Sequence, residues 1–320
     1  MPFFLVKSDI TTMKTDAIVN AANTALSMGG GVCGAIFKAA GIEEMERACA
    51  PLAPIKTADA VLTAAFNLPS KFVIHTAGPV YRDGSSGEEA QLRACYTNSL
   101  ALAKQYRCKS IAFPLISSGI YGYPKEDALR VAADAIQGFL QEHEMEVHLV
   151  LFETLRPKSA LLEQVDRYLD TAYDPTLEQQ MFDVGMDAFR DSCVHASQPS
   201  LEDMLQTLDE PFCDSLLRLI QQKKKTEVQV YKKANLDRKH FSKIRSGNGY
   251  MPGKKTILAL AVALELSLEE AQWLLGLAGY SLSHASKFDV IVEYCLTEHI
   301  YDIFAINEIL FSYDQPLLGS

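Results

Sequence analysis

Apolar positions in the first half of the chain come in short blocks. Residues 3–6, 16–20, 60–63, 72–76, 110–115 and 147–152 are brief runs rich in Val, Ile, Leu, Phe and Ala. They are too short for helices and predict strands, several of them buried on both faces. Between them, residues 88–104 and 125–140 repeat apolar side chains at helical spacing, the second stretch opened by Pro124 as a first-turn proline. Residues 159–169 read as one more helix closing this unit. Strands interleaved with helices predict an α/β fold in which a sheet is sandwiched between helical layers.

Beyond residue 170 the pattern changes. Residues 171–200 have weak periodicity and read as a connecting segment. After them short amphipathic repeats at 201–208, 212–222, 227–234, 238–245, 254–264 and 268–277 predict helices and no strand, with Asn235, Asp237 and Ser267 as candidate caps. The expectation is a first domain over 1–170 and a smaller all-α domain over 201–320 with its core at about 212–280. A length of 320 residues fits two cores better than one.

Composition narrows the chemistry. The N-terminus lacks the charged, apolar and small-residue regions of a signal peptide, and no apolar run is long enough to span a bilayer, so a cytoplasmic protein without a membrane partner is expected. The seven cysteines are scattered and never in CxxC spacing, which points to reduced thiols. The histidines form no HExxH pair, so no metal is expected, nor any resident cofactor. Net charge is −10, yet residues 223–255 hold eleven Lys/Arg against two acids, a local +9.

The stretch DAIVN followed by AANTALSMGGGVCGAIFKAAG carries Gly29, Gly31 and Gly34 in GxGxxG spacing. A dinucleotide fingerprint would place the glycines directly after the strand; here residues 21–28 intervene, which rejects that reading. The physical content stands: glycines let backbone approach an anionic ligand, and the helix beginning near Val32 aims unpaired N–H groups at it. A second strand ends in SSGIYGYP, another glycine-bearing strand-to-helix junction. Two such loops would frame a crevice for a diphosphate. No GKT or GKS is present, which argues against a P-loop nucleotidase.

These segments, VNAAN…GGGV…GAI…AAG, VIHTAGPVY and IAFPLISSGIYGYPKEDA, resemble in order and spacing the macrodomains of the MacroD-like branch, over about residues 6–169. The resemblance implies a three-layer α/β/α fold with a mixed sheet, and ADP-ribose or an ADP-ribosylated protein as partner. It assigns Asp9 to the adenine amino group with Ile10 beside it, and Phe152 to the adenine face. It places Asn20 and Asn23 in the first loop, with Asn23 on the distal ribose, and Gly29, Gly30, Gly31, Val32 and Cys33 along that ribose and the diphosphate. Ser117, Ser118, Gly119, Ile120, Tyr121 and Gly122 form the diphosphate loop, Tyr121 covering the distal ribose. Other readings stay open: Asp9 as a helix N-cap, Tyr121 and Phe152 as core aromatics. His75, inside an apolar strand, reads as a core histidine.

Hydrolytic members of that branch commonly carry an acid in GVDG and a histidine one turn further on, whereas this chain has Cys33 and Phe37 there. A neutral thiol does not replace a carboxylate base. What remains is catalysis by positioning, with Asn23, Gly30 and Tyr121 holding the distal ribose while the ligand's own diphosphate orients water. The expectation is a slow hydrolase of ester-linked ADP-ribose or O-acetyl-ADP-ribose; binding without turnover is the alternative. The basic segment resembles a repressor-like helix-turn-helix of the XRE type. That resemblance implies DNA contacts from Arg238, Lys239, His240 and Lys243 and phosphate contacts from Lys254 and Lys255, or a protein partner on the same fold.

Overall fold

The computed structural model describes residues 2–152, 160–173, 210–247 and 249–319. The chain divides into two units, Met1–Pro157 and Lys158–Ser320. The expected helix at 201–208 and most of the expected connecting segment lie outside the described residues.

The first unit is built on strands β1 (Phe3–Lys7), β2 (Ala17–Ala22), β3 (Ala60–Ala64), β4 (Phe72–Ala77), β5 (Ser110–Pro114) and β6 (Glu146–Leu151). They form one six-stranded sheet in the order β1-β6-β5-β2-β4-β3. All pairs are parallel except β3 with β4. Parallel strands need crossovers, and these are supplied by α1 (Gly31–Ala40), α2 (Ile42–Cys49), α3 (Glu88–Gln105) and α4 (Lys125–Glu142). β2 and β4 each have a strand on both sides, and Ile18, Val19, Val73 and Ile74 are fully enclosed, which is why these runs are apolar at successive positions. The apolar blocks thus locate all six strands to within a residue or two. Helix α2 was not anticipated, because its eight residues present too short a repeat. Pro124 caps α4 rather than lying in its first turn.

The second unit is all-α: α5 (Ala160–Ala172), α6 (Phe212–Gln222), α7 (Glu227–Lys233), α8 (Arg238–Ser246), α9 (Lys254–Ala263), α10 (Leu268–Gly276), α11 (Lys287–Thr297) and α12 (Ile303–Ser312). One expectation is corrected here. Helix α5 does not close the first unit; its buried Val165 and Leu169 join the core formed by α6 to α12, and the Tyr168 ring packs tilted against Tyr294 with ring centroids 5.0 Å apart. Helices α11 and α12, unforeseen in the sequence, complete that core. The expected caps are present: Asp237 accepts from Lys239 N at the start of α8, and Ser267 and Glu270 form a capping box on α10. Asn235 adopts φ +55 in the turn between α7 and α8, the left-handed conformation for which glycine is the commoner choice and asparagine the usual substitute.

Candidate functional site

The carboxyl ends of β1, β6, β5 and β2 open into a cleft of about 730 Å³. The strand order sets its geography. Asp9 follows β1 and Phe152 follows β6, so both mark one end. The loop 117–121 follows β5 and the glycine loop 29–33 follows β2, so these form the other end, and all these residues line the cleft. The loops close on each other: a side-chain carbon placed on Gly30 would lie 3.1 Å from Ile120 Cδ1.

At the first end, Asp9 caps the short 3-10 turn Ile10–Thr12, its Oδ1 accepting from Thr11 N at 2.9 Å and Thr11 Oγ1 at 2.8 Å. The N-cap reading holds, and because the cap uses one carboxylate oxygen it does not conflict with the place of Asp9 in the cleft lining. Phe152 is 82% exposed, which removes the core-aromatic alternative. An exposed ring at the rim of a cleft is a ready platform for a flat ligand face.

Across the sheet, the β5 loop is anchored from beneath. Tyr96, wholly buried in α3, donates its OH to Pro114 O (3.3 Å) and accepts from Ile116 N (3.0 Å), and burial raises its phenol pKa. Ser117 sits at φ +64, a conformation costly for a non-glycine residue and commoner at functional loops. That bend aims its carbonyl at Tyr123 N, 2.9 Å away. Its Oγ is buried and has no partner among the described residues. Tyr121, half-buried, is held by Tyr81 N donating to its carbonyl at 2.9 Å. Gly78, at the end of β4, packs so closely that a side chain there would meet Ser117 Oγ at 2.2 Å. Sequence reasoning passed over Gly78 and Tyr96; Gly78 was visible in HTAGPVY, whereas Tyr96 carries no local signal.

The first loop is braced by Asn23. Its Nδ2 donates to Ser27 O (2.9 Å) and its Oδ1 accepts from Ser27 N (3.2 Å), closing residues 23–27 beside the cleft. Cys33, on the first turn of α1 and 5% exposed, points its Sγ toward the same Ser27 carbonyl at 3.8 Å. Asn20 requires a correction. It does not line the cleft; alternation along β2 turns it into the interior, where its Nδ2 contacts Cys33 Sγ at 3.6 Å and His75 Nδ1 at 3.1 Å. Its Oδ1 has no partner among the described residues. Gly122 is likewise outside the cleft lining: it hydrogen-bonds back to Gly119 O at 2.9 Å and turns the loop away.

His75 is the hub of this buried polar chain. Nε2 is 2.9 Å from Thr63 Oγ1, and Asn20 donating to Nδ1 is consistent with a neutral ring protonated on Nε2. Burial pushes its pKa down to about 4. A histidine whose folded value lies below its unfolded 6.5 stabilises the fold fully only above that value, and the contribution is lost as pH falls toward 4. Between pH 7 and pH 5 the first unit is expected to lose about 2 kcal/mol from this group. Urea melts at the two pH values test this, and in His75→Gln the difference should shrink by that amount.

In the second unit part of the local +9 is offset by acids that folding brings in. Lys223 pairs with Glu270 (2.9 Å), Lys225 with Glu265 (2.9 Å), Lys233 also with Glu265, and Arg245 with Glu227 (3.1 Å). The two lysines hold the Glu265 carboxyl down to about 2. Lys254 is corrected as a phosphate contact: its Nζ lies 2.5 Å from the buried Asp289 carboxylate. His240 turns toward Tyr250, Nε2 to OH 2.9 Å, and burial, then Lys243, lowers its pKa. Arg238, Lys239 and Lys243 on α8, and Lys255 on α9, are exposed and make no ion pair among the described residues. Among the described residues no helix is long and apolar enough to cross a membrane, and no cluster of His, Cys, Asp and Glu could hold a metal.

A mixed sheet whose strand ends cradle two glycine-bearing loops defines a class, and comparison with known proteins agrees with it. The Macro domain family profile matches residues 19–132. A macro domain-containing protein of Chlorobaculum tepidum is 49% identical over 46% of this chain and 84% of its own length. An O-acetyl-ADP-ribose deacetylase of Escherichia fergusonii is 44% identical over 47% of this chain and 87% of its own length. An ADP-ribose glycohydrolase of Bos taurus is 44% identical over 45% of this chain and 44% of its own length. The chain belongs to the macro domain family.

Proposed function

We propose that the cleft of the first unit binds ADP-ribose and slowly hydrolyses ester-linked ADP-ribose on proteins or O-acetyl-ADP-ribose. The observation that carries this reading is the order of groups along the strand ends. The exposed Phe152 ring and the Asp9 carboxylate stand where adenine would lie, and the loops at Gly29–Cys33 and Ser117–Tyr121 follow at the other end. The names of the deacetylase and glycohydrolase relatives support the reaction class. Among the residues lining the cleft, Asp9 is the sole carboxylate and sits at the opposite end from the glycine loop. Turnover therefore rests on Asn23, Gly30 and Tyr121 fixing the distal ribose while backbone N–H groups and the diphosphate orient water. The test is release of ADP-ribose from a mono-ADP-ribosylated acidic protein and of acetate from O-acetyl-ADP-ribose at stoichiometric protein. No release, with ADP-ribose still bound in calorimetry, leaves a reader; no binding at millimolar ligand removes the reading altogether.

A second reading concerns the helical unit. Arg238, Lys239 and Lys243 make no ion pair among the described residues and lie exposed on one helix that follows a tight left-handed turn, which suits a helix-turn-helix contact with DNA. On this reading duplex affinity falls steeply with salt, and reversing Arg238 and Lys243 to Glu removes it. Binding that ignores both changes refutes the reading.

A further inference from the structure

Strand β5 ends at Pro114, and the chain then leaves the sheet to form one wall of the cleft from Leu115 to Tyr121. Two backbone groups sit at that exit, the Pro114 carbonyl and the Ile116 N–H, both on buried residues. A buried N–H or C=O without a partner is costly, so each needs one. A single oxygen serves both. The Tyr96 hydroxyl donates to Pro114 O at 3.3 Å and accepts from Ile116 N at 3.0 Å.

Tyr96 belongs to α3, 18 and 20 residues away from these two partners in the chain. Its ring is wholly enclosed and lies tilted against Phe113, centroids 5.2 Å apart. Burial raises its phenol pKa, so the proton that bonds Pro114 stays in place. The bonds further along the wall are local. Ser118 N and Ser118 Oγ donate to Leu115 O at 3.4 and 2.8 Å, and Tyr123 N donates to Ser117 O at 2.9 Å. These shape the loop from within, whereas the Tyr96 hydroxyl ties its first turn to α3.

We propose that Tyr96 is a positioning residue for the phosphate-bearing half of the ligand, its hydroxyl holding loop 115–121 where it and the glycine loop together can take a diphosphate. This rests on the reading of the cleft as an ADP-ribose site. Tyr96 does not line the cleft, so it acts through the backbone of the loop. Without its oxygen the Ile116 N–H is buried with no acceptor, and it gains one only if the loop moves. Asp9 and Phe152 follow other strands, β1 and β6, so the adenine end is left as it is.

The experiment compares ADP-ribose with adenosine, which lacks the diphosphate, on the full chain by calorimetry and NMR titration. Tyr96→Phe keeps the ring against Phe113 and removes one oxygen. It should weaken ADP-ribose about tenfold, as the loss of a buried hydrogen bond does, and leave adenosine within about twofold of wild type. Ser70→Ala is the control for stability alone. It removes a buried hydroxyl that donates to Met13 O at 3.1 Å, neither residue lining the cleft, and should lower the melting temperature without changing either affinity. Equal weakening of both ligands in Tyr96→Phe would make the residue merely structural, and an unchanged ADP-ribose affinity would mean that the loop is placed without the hydroxyl; either result overturns the proposal. Failure of wild type to bind ADP-ribose defeats the underlying reading instead.

Discussion

Cys33→Asp is expected to raise turnover of ester-linked ADP-ribose by about a hundredfold, the range that a positioned general base contributes. The side chain at this position lies on the first turn of α1 and lines the cleft. Its neighbours favour an anion there. Asn20 Nδ2 already points at the sulfur from 3.6 Å, and the start of a helix stabilises negative charge. Opposing them is the Ser27 carbonyl, 3.8 Å from Sγ, which would face a carboxylate without the thiol's proton. That repulsion is expected to cost about 1 kcal/mol of stability, visible as a small drop in melting temperature. Initial rates with O-acetyl-ADP-ribose and with a glutamate-linked ester decide the matter. An unchanged rate in a folded variant would mean that a missing base does not limit turnover, and the explanation of slowness built on Cys33 would fall.

Gly34→Ala should weaken ADP-ribose binding by a hundredfold or more, on the order of the 3 kcal/mol that a misplaced binding loop costs. Gly34 is the third glycine of the GxGxxG run, and the new side-chain carbon would stand 2.6 Å from the carbonyl oxygen of Gly29. That neighbour is backbone, so relief requires moving the loop rather than rotating a side chain. The loop carries Gly29 and Gly30 against the cleft and meets Ile120 across it; shifting it spoils both walls. Gly138→Ala is the matched control. Gly138 lies inside α4, and an added carbon meets nothing within 4 Å, so that variant should bind as wild type and gain slightly in stability. Calorimetry on both, with circular dichroism to confirm folding, reads the difference. Equal affinities would show that the glycine serves some purpose other than close packing.

These two substitutions also show which parts of the molecule were legible beforehand. The six strands and the two loops were readable because each is encoded locally, by consecutive apolar residues or by glycines and polar residues at a strand end. Caps such as Asp237 and Ser267 were readable for the same reason. The boundary of the helical unit was not, since residues 160–172 have the same amphipathic pattern whichever core they join. Only the packing of Val165 and Leu169 against the second core assigns them. Asn20 and Asn23 sit three residues apart in one motif, yet one turns into the interior and the other to the cleft. That choice is made by where β2 ends and the loop begins.

Charge was the least legible property. Residues 223–255 hold a net +9, but Glu265, Glu270 and Asp289, all outside that window, neutralise lysines within it. Net charge along a chain ignores partners brought in by folding, whereas pairing depends on distance. By itself the sequence determined the family, the α/β character of the first unit, the helical character of the second and the two glycine-bearing loops, because these depend on patterns within a few residues. Tertiary structure alone decided which side chains meet. It placed Tyr96 and Gly78 beneath the β5 loop, set Asn20 on His75 and paired Lys254 with Asp289, since each of those contacts joins residues far apart in the chain.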